Sequence, residues 1–283
     1  MKPALGAAVV LGVLAVSLLL SFLPAYTALP WLRLPGAVKV YIYKYTNISG
    51  LTSLYVNDTD GAIRVGEWSG SYVYVNATLT RFLYPLSVNA SVQRVGGTLD
   101  ILVHQPSTLT TFIGYFTLSF NILIPESLHS LGVHVSDVNG DININLENFT
   151  SVQVISVNGD IQLTLGSGDS VAASDVNGNI VLTSSTIGAL DLTTVNGEIS
   201  AGFTPTSGGT YRALTANGDI RVMIPSSSSL TVTMATVNGA INVSGLQLDN
   251  VSSTKTTLTG TLGSGSAALT LTTTNGDIQL TSP

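Results

Sequence analysis

The stretch that decides the fold is Ser156-Val157-Asn158-Gly159-Asp160-Ile161-Gln162-Leu163-Thr164-Leu165. Its Asn-Gly core recurs along the chain, and successive asparagines are separated by 19, 19, 19, 21, 21 and 37 residues. The copies are Asn139-Gly140, Asn158-Gly159, Asn177-Gly178, Asn196-Gly197, Asn217-Gly218, Asn238-Gly239 and Asn275-Gly276. A fixed period near twenty is typical of solenoids and repeat arrays.

Each repeat contains two short strands and two turns. Ile161, Leu163 and Leu165 alternate with polar residues, which predicts a strand with one buried face. The glycine-rich segment 166–169 is expected to break this strand, and a second strand follows before the next corner. Asn and Gly adopt positive φ more easily than other residues, so an Asn-Gly pair suits a sharp corner.

Two all-β folds fit this local pattern. Asn-Gly between alternating runs also marks hairpins, so an antiparallel meander is one alternative. A parallel β-solenoid is favoured, because stacked coils of 19–21 residues reward the same residue at the same place. We therefore predict a single-domain solenoid with coils about 4.8 Å apart, apolar columns inside and an asparagine column at one corner. The 37-residue interval is interpreted as two units whose shared turn has decayed to Thr259-Gly260.

The composition excludes several classes of protein. The 283 residues contain no cysteine, which rules out disulfides, thiolate metal sites and a cysteine nucleophile. Only 9% of residues are charged and the net charge is −6. The charge pattern argues against nucleic acid as a partner, because no Lys or Arg occurs between Arg94 and Arg212 and a phosphate backbone requires a basic footprint.

The N-terminal region carries the pattern of an export signal. Residues 4–23 form an apolar run of 20 residues, about the length of a bilayer-spanning helix. We predict a signal-anchor helix or a cleaved signal peptide over residues 1–27 and a linker over 28–36. Either alternative leaves Lys2 inside and exports the remainder of the chain.

The exported part divides into two regions by regularity. Residues 37–130 are interpreted as irregular first coils and a cap, and residues 131–283 as regular coils. Two segments resemble worn copies of the repeat: Asp60-Gly61-Ala62-Ile63 and Gly97-Thr98-Leu99-Asp100-Ile101.

A tyrosine stripe and seven glycosylation sequons are the candidate surface features. Tyr41, Tyr43 and Tyr45 alternate along one segment and form either a contact face for sugar or protein, or a layer packed under the cap. The sequons are at Asn47, Asn57, Asn76, Asn89, Asn148, Asn242 and Asn250. Behind an export signal, such sequons are candidate glycan acceptors and indicate a glycoprotein of the cell surface.

A family resemblance begins at Phe120-Asn121-Ile122-Leu123-Ile124-Pro125-Glu126. A strand ends there in Ile-Pro, a short connection and Val133–Val138 follow, and the Gly-Asp-Ile coils start at Gly140. This order of features resembles the putative-adhesin family, a prokaryotic domain of unknown function, over about residues 38–280. The resemblance implies a β-solenoid exposed at the envelope and supplies no catalytic residues. The strong corner asparagine and the scarcity of basic residues depart from the family pattern.

No motif indicates catalysis, a cofactor or a metal site. Five corner acids, Asp141, Asp160, Glu198, Asp219 and Asp277, would form a column in stacked coils. Calcium is one interpretation of that column, but Asn179 and Ala240 interrupt it. The alternative is that each acid accepts backbone N–H groups at its turn. His104, His129 and His134 have no ligand spacing, so the prediction is a protein that is not an enzyme.

The expected function is a structural or adhesive role at the cell envelope. The first alternative is the ectodomain of an envelope sensor or regulator, and the second is a carbohydrate-active enzyme. The expected partner is the membrane through residues 4–23, and the candidate partners are a surface glycan or envelope protein and further copies of the chain. The repeat runs to Leu280 and leaves an open strand edge. Two alternatives follow: Val38–Tyr45 adds to the open edge of a neighbour and gives end-to-end assembly, or it covers its own first coil and the chain is a monomer.

Overall fold

The computed structural model describes residues 37–82, 89–104 and 115–283. Within these ranges all helix and strand assignments are strands, so the all-β prediction is confirmed. The same ranges contain no helix long and apolar enough to cross a membrane. The predicted N-terminal helix and the linker at 28–36 lie outside the described residues. The predicted domain boundaries therefore stay predictions.

Nineteen strands are defined in the described residues. The first nine are β1 (Ala37–Tyr45), β2 (Ser53–Asn57), β3 (Ile63–Trp68), β4 (Val73–Phe82), β5 (Asn89–Val95), β6 (Thr98–His104), β7 (Tyr115–Pro125), β8 (Leu131–Ser136) and β9 (Ile142–Ile155). The remaining ten are β10 (Ile161–Ser174), β11 (Ile180–Asn196), β12 (Ile199–Asn217), β13 (Ile220–Met223), β14 (Leu230–Ala235), β15 (Ile241–Ser244), β16 (Asp249–Ser253), β17 (Thr257–Leu262), β18 (Ala267–Asn275) and β19 (Ile278–Thr281).

The central coils stack in parallel. Strands β9, β10, β11 and β12 pair side by side in chain order, and Ile161 lies opposite Ile142 on one side and Ile180 on the other. Between β9 and β11 the register is 19 residues throughout, which matches the sequence period. These coils are therefore solenoid-like, as predicted, and do not form an antiparallel meander.

Each long strand crosses from one face of the solenoid to the other. The front face runs through β1, β4, β7, β3, the first halves of β9–β12, β13, β19 and β15. The back face runs through β5, β6, β2, β8, the second halves of β9–β12, β18, β14, β17 and β16. Each Asn-Gly corner returns the chain from the back face to the front.

The predicted break at residues 166–169 is wrong, because β10 continues through it. Ser167 pairs with Asn148 and Thr186 within the ladder. Gly168 packs on Phe149, and a Cβ there would lie 2.2 Å from that ring. Gly168 therefore leaves room for the buried Phe149 ring while the parallel ladder continues on both sides of it.

The core consists of columns of aliphatic side chains between the two faces. The isoleucine after each corner is almost fully buried in six stacked coils: Ile142, Ile161, Ile180, Ile199, Ile220 and Ile278. Alternating inward residues on the back face, such as Val154, Ala173 and Leu192, complete the layer. Burial of these columns supplies most of the stabilisation expected for the fold.

At the N-terminal end, an early part of the chain is inserted between later parts. Strand β2 lies between β6 and β8, and β3 lies between β7 and β9. Asp60 bridges Asn139, so the segment beginning at Asp60 is a true copy of the corner. The copy predicted at Gly97 is wrong, since Gly96 and Gly97 form the tight turn of the β5–β6 hairpin.

The C-terminal end repeats this insertion. Strand β18 lies between β12 and β14, and β19 lies between β13 and β15. The last coil of the chain is therefore not the last coil in space. The interpretation of Thr259-Gly260 as a decayed corner is also wrong, because Gly260 lies in β17, which pairs antiparallel with β14.

Candidate functional site: corner ladders and an aromatic surface

The corner asparagines form a continuous ladder of side-chain hydrogen bonds. Each Nδ2 donates to the Oδ1 of the neighbouring coil at 2.7–2.9 Å. In spatial order the ladder runs from Asn238 through Asn275, Asn217, Asn196, Asn177, Asn158 and Asn139 to Asp60. We call this set the asparagine ladder.

The ladder has a direction, and Asp60 lies at its acceptor end. All seven side-chain bonds donate toward Asp60, whose Oδ1 accepts from Asn139 at 2.8 Å. A carboxylate suits this position because it needs no donor of its own and makes a stronger, charge-assisted bond. The sequence predicted the asparagine column. It did not predict that the column ends at an aspartate, or that Asn275 lies between Asn217 and Asn238.

The corner acids bind backbone N–H groups of the neighbouring coil. Asp141 Oδ1 accepts from the N–H of Asp160 at 3.0 Å, and Asp160 Oδ1 accepts from Asn179 at 2.8 Å. Asn179 fills the same role toward Glu198, so it does not interrupt this row. Ala240, in the last coil of the stack, donates its N–H to Asp277 and has no side-chain oxygen that could accept a further bond. The acids therefore accept backbone N–H groups, as the second alternative predicted. The N–H groups belong to the neighbouring coil and not to the turn of the acid itself.

Glu198 departs from this row because its side chain pairs with a cation. Arg221, on the outer front face, forms ion pairs with Glu198 and with Asp219, the latter at 2.9 Å. The Glu198 contact is the largest cause of a raised Arg221 pKa. In the described part of the chain no group of three or more His, Asp or Glu side chains is arranged to hold a metal ion.

A second column of polar residues lies inside the corner. It consists of the residue two positions before each ladder residue: Asp58, Asp137, Ser156, Asp175, Thr194, Thr215, Thr236 and Thr273. We call it the inner corner column. All eight residues are at most 4% exposed, and they are all the buried polar residues in the described part of the chain. The sequence carried this signal, an Asp, Ser or Thr at that position in every copy, but the predicted site residues did not include it.

The acids of the inner corner column have raised pKa values. Burial raises the pKa of Asp58 to about 7, with Asp137 and Asp60 adding to the shift and the N–H of Thr59 opposing it. Burial raises the pKa of Asp137 to about 6, with a smaller contribution from Asp60. Burial also raises the pKa of Asp175. Desolvation destabilises the charged carboxylate, so these groups favour the neutral acid.

Exposed aromatic side chains are grouped at the N-terminal end. Trp68 packs edge-on against Tyr72, with centroids 4.8 Å apart, and lies 6.4 Å from Tyr74. The Lys44 ammonium lies 5.6 Å from the Tyr72 ring. All three rings are partly exposed, and we call them the aromatic group. In the coils from residue 131 onward, by contrast, Phe149, Phe203 and Tyr211 are buried.

The predicted tyrosine face packs mostly inward. Tyr41, Tyr43 and Tyr45 are partly buried against the core, and the Tyr43 hydroxyl donates to the carbonyl of Ala90. This is the arrangement of the packing alternative. The opposite side of β1 carries Val38, Val40 and Ile42, which are 62%, 51% and 58% exposed. The outward face of β1 is therefore aliphatic.

The sequons are on the surface where their side chains are described. Five of the asparagines are exposed: Asn47, Asn57, Asn148, Asn242 and Asn250. Asn76 is partly exposed on the outward side of β4, and the side chain of Asn89 lies outside those described. Nothing in the structure tests their glycosylation, which stays a prediction.

One family model and several solved structures are similar to the chain. A family model described as Toastrack DUF4097 matches residues 40–281. No curated protein matches the chain significantly. A putative cell adhesion protein from Clostridium sporogenes is 12% identical with a TM-score of 0.39, and covers 88% of this chain and 100% of its own. A putative adhesin from Bacteroides fragilis is 11% identical with a TM-score of 0.43, and covers 87% and 97%. At these TM-scores we draw no functional conclusion from either structure.

Proposed function

Because the chain belongs to the Toastrack DUF4097 family, a domain family of unknown function, we propose a structural and adhesive role at the cell envelope, without catalysis. The family assignment confirms the one made from the sequence and carries no activity. The function is instead argued from two features: a rigid stack of coils and one surface suited to binding.

The stack suits a rigid spacer. Nine parallel strands, from β7 to β15, follow one another on the front face and give a length of about 40 Å. Two exposed rows of hydrogen bonds, the asparagine ladder and the corner acids, join neighbouring coils in addition to the backbone ladder. A body held in this way can present a surface at a fixed distance from its attachment point.

The observation that carries the adhesive role is the position of the aromatic group. Trp68, Tyr72 and Tyr74 are partly exposed at the connection from β3 to β4, whereas the aromatic rings of the later coils are buried. Aromatic rings combine a large apolar surface with a polar edge, which suits contact with sugars as well as proteins. We propose an envelope polysaccharide as the ligand, because the Lys44 ammonium supplies a hydrogen-bond donor beside the rings.

The test measures co-sedimentation of the protein with an insoluble envelope polysaccharide. Trp68→Ala and Tyr72→Ala are each expected to weaken binding about tenfold, the scale of one lost aromatic contact. The matched control is Val237→Ala, which removes a 64% exposed apolar side chain far along the chain. A loss of binding in the control alone, or no binding by the unaltered protein, would contradict the proposal.

Attachment to a membrane through residues 4–23 is part of the proposal. Its support is the 20-residue apolar run and the exposed aliphatic face of β1, the described strand that follows this run most closely. Export would place the coils outside the cell membrane, where the exposed sequons are candidate glycan acceptors. Mass spectrometry of the mature protein would distinguish an anchored chain from one that has lost residues 1–27.

End-to-end assembly stays a proposal, but the strands that would make the contact differ from those predicted. Val38–Tyr45 pairs with β4 of its own chain, so its donation to a neighbour would require release from that strand. The C-terminal coil is enclosed between other coils and cannot be the open end. Contact between chains would instead use β1 at one end and β15 or β16 at the other, since each has one partner strand in the described residues.

A further inference from the structure

The threonines of the inner corner column show what this position requires. Four hydroxyls each donate to the carbonyl of a corner glycine in an adjacent coil, at 2.9–3.1 Å. The pairs are Thr194 with Gly178, Thr215 with Gly197, Thr273 with Gly218, and Thr236 with Gly276. A buried carbonyl with a donor missing destabilises the fold, so each coil benefits from a donor at this position.

The aspartates occupy the same position and have the same carbonyl nearby. A Cβ placed on Gly140 would lie 2.1 Å from the Gly61 carbonyl oxygen and 2.7 Å from Asp137 Oδ2. A Cβ placed on Gly178 would lie 2.3 Å from the Gly159 carbonyl oxygen and 2.5 Å from Asp175 Oδ2. In both corners the carboxyl oxygen and the carbonyl oxygen border the same small space over the glycine, which is the arrangement in which a proton on the carboxyl can be donated to the carbonyl.

Most oxygens of these carboxyls have no hydrogen-bond partner, and the backbone N–H groups beside them only partly offset the effect of burial on their pKa values. Both oxygens of Asp137, both oxygens of Asp175 and Oδ2 of Asp58 are buried without a hydrogen-bond partner. The charged groups that face them are acids: Asp137 and Asp60 face Asp58, Asp60 faces Asp137, and Asp160 faces Asp175. The Ser156 hydroxyl opposes the shift of Asp175, although it lies outside ordinary hydrogen-bond geometry.

We propose that Asp58, Asp137 and Asp175 are neutral carboxylic acids in the folded protein at mildly acidic pH, and that Asp137 and Asp175 then donate hydrogen bonds to corner carbonyls as the threonines do. The ligand of this site is a proton. The three acids lie within four successive coils at the N-terminal end, with the coil of Ser156 between those of Asp137 and Asp175, and these coils include the inserted strands β2 and β3. Protonation of the three acids therefore stabilises the stacking of coils at the end of the solenoid that carries the aromatic group.

The direction of the pH effect follows from the raised pKa values. A folded state that holds its protons more tightly than the unfolded chain is stabilised at low pH. The contribution is fully present below about pH 4 and is lost as pH rises through about 6 for Asp137 and about 7 for Asp58. In that window each such carboxyl raises the unfolding equilibrium constant by up to about tenfold per pH unit.

The experiment measures denaturant unfolding of the full-length protein between about pH 4.5 and about pH 8. This range brackets the pKa of Asp137, about 6, and the pKa of Asp58, about 7. The unaltered protein should become easier to unfold as pH rises. Asp58→Asn, Asp137→Asn and Asp175→Asn combined should remove most of this dependence, because an amide donates at every pH. The matched control is Asp141→Asn in the outer row, where Asn179 already makes the same kind of contact, and it should retain the dependence.

A second variant keeps the proposal testable if the amides prevent folding. Asp137→Thr with Asp175→Thr copies the residue of the later coils and should fold with a reduced pH dependence. The carbon NMR shifts of the Asp side-chain carboxyls report protonation directly. The proposal is overturned if those carboxyls are ionised at pH 5, or if the variants keep the pH dependence. Calcium that protects the unaltered protein at pH 8 but not the variants would identify a cation site instead.

Discussion

At the scale of single residues, the corner is held by side chains that repeat one coil apart. Asn158 donates to Asn139 and accepts from Asn177, both at 2.9 Å, so each inner member of the asparagine ladder makes two bonds. Asn238, at the end of the stack, makes only one. Amides linked in one direction also polarise one another, which strengthens the row as a whole.

The ladder predicts different costs for the same substitution at two places. Asn158→Ala should destabilise the protein by about 1–2 kcal/mol, since two hydrogen bonds of modest net value are lost. Asn238→Ala should cost about half as much, because one bond is lost. Urea unfolding of both variants measures the difference, and equal costs would contradict a ladder that contributes bond by bond.

At the scale of the coil, the corner glycines are required by close backbone approach. Gly159 has a φ of +143°, and a Cβ there would lie 2.2 Å from the carbonyl oxygen of Gly140. Coils at the spacing of hydrogen-bonded strands leave no room for a side chain between successive corners. The Gly in each Asn-Gly pair therefore follows from stacking, in addition to the turn conformation that first suggested it.

Alanine substitution at two glycines distinguishes destabilisation by contact between stacked corners from a general cost of replacing glycine. Gly159→Ala should cost about 2 kcal/mol or more through backbone strain and contact with Gly140. Gly202→Ala, on the outer front face, would place its Cβ with nothing within 4 Å and should change stability by less than about 1 kcal/mol. Thermal unfolding of both variants provides the comparison, and similar losses would show that corner contacts are not the cause.

At the scale of the whole molecule, both ends are completed by strands inserted out of chain order. Strands β18 and β19 bury Leu269, Leu271, Ile278 and Leu280, each at most 1% exposed, between coils formed earlier in the chain. Such pairings join residues far apart in sequence, as in the contact between Tyr211 and Leu269. Folding is therefore expected to be slower than for coils that stack in chain order.

Two truncations test this insertion. Removing residues 267–283 should abolish cooperative unfolding of the C-terminal half, because β14 and β15 lose the strands that join them to β12 and β13. Removing residues 230–283 should leave a shorter solenoid that still unfolds cooperatively, at lower temperature. Calorimetry with limited proteolysis compares the two. If the shorter deletion were the milder one, the inserted coil would not be the link between the last strands and the rest.

Much of the architecture was present in the repeated Val-Asn-Gly-Asp-Ile pattern. Equal residues at equal spacing place each Asn158 equivalent above the last and each Ile161 equivalent inside, because stacking coils carries one local geometry from copy to copy. The order of the end coils was not predictable in this way. Strands such as β2 and β18 pair with whichever strand edge is open, and local pattern does not encode that choice. The tertiary structure also decides that the tyrosines of β1 pack inward and that the pKa of Asp137 is raised, because both depend on which strands and coils lie against each other.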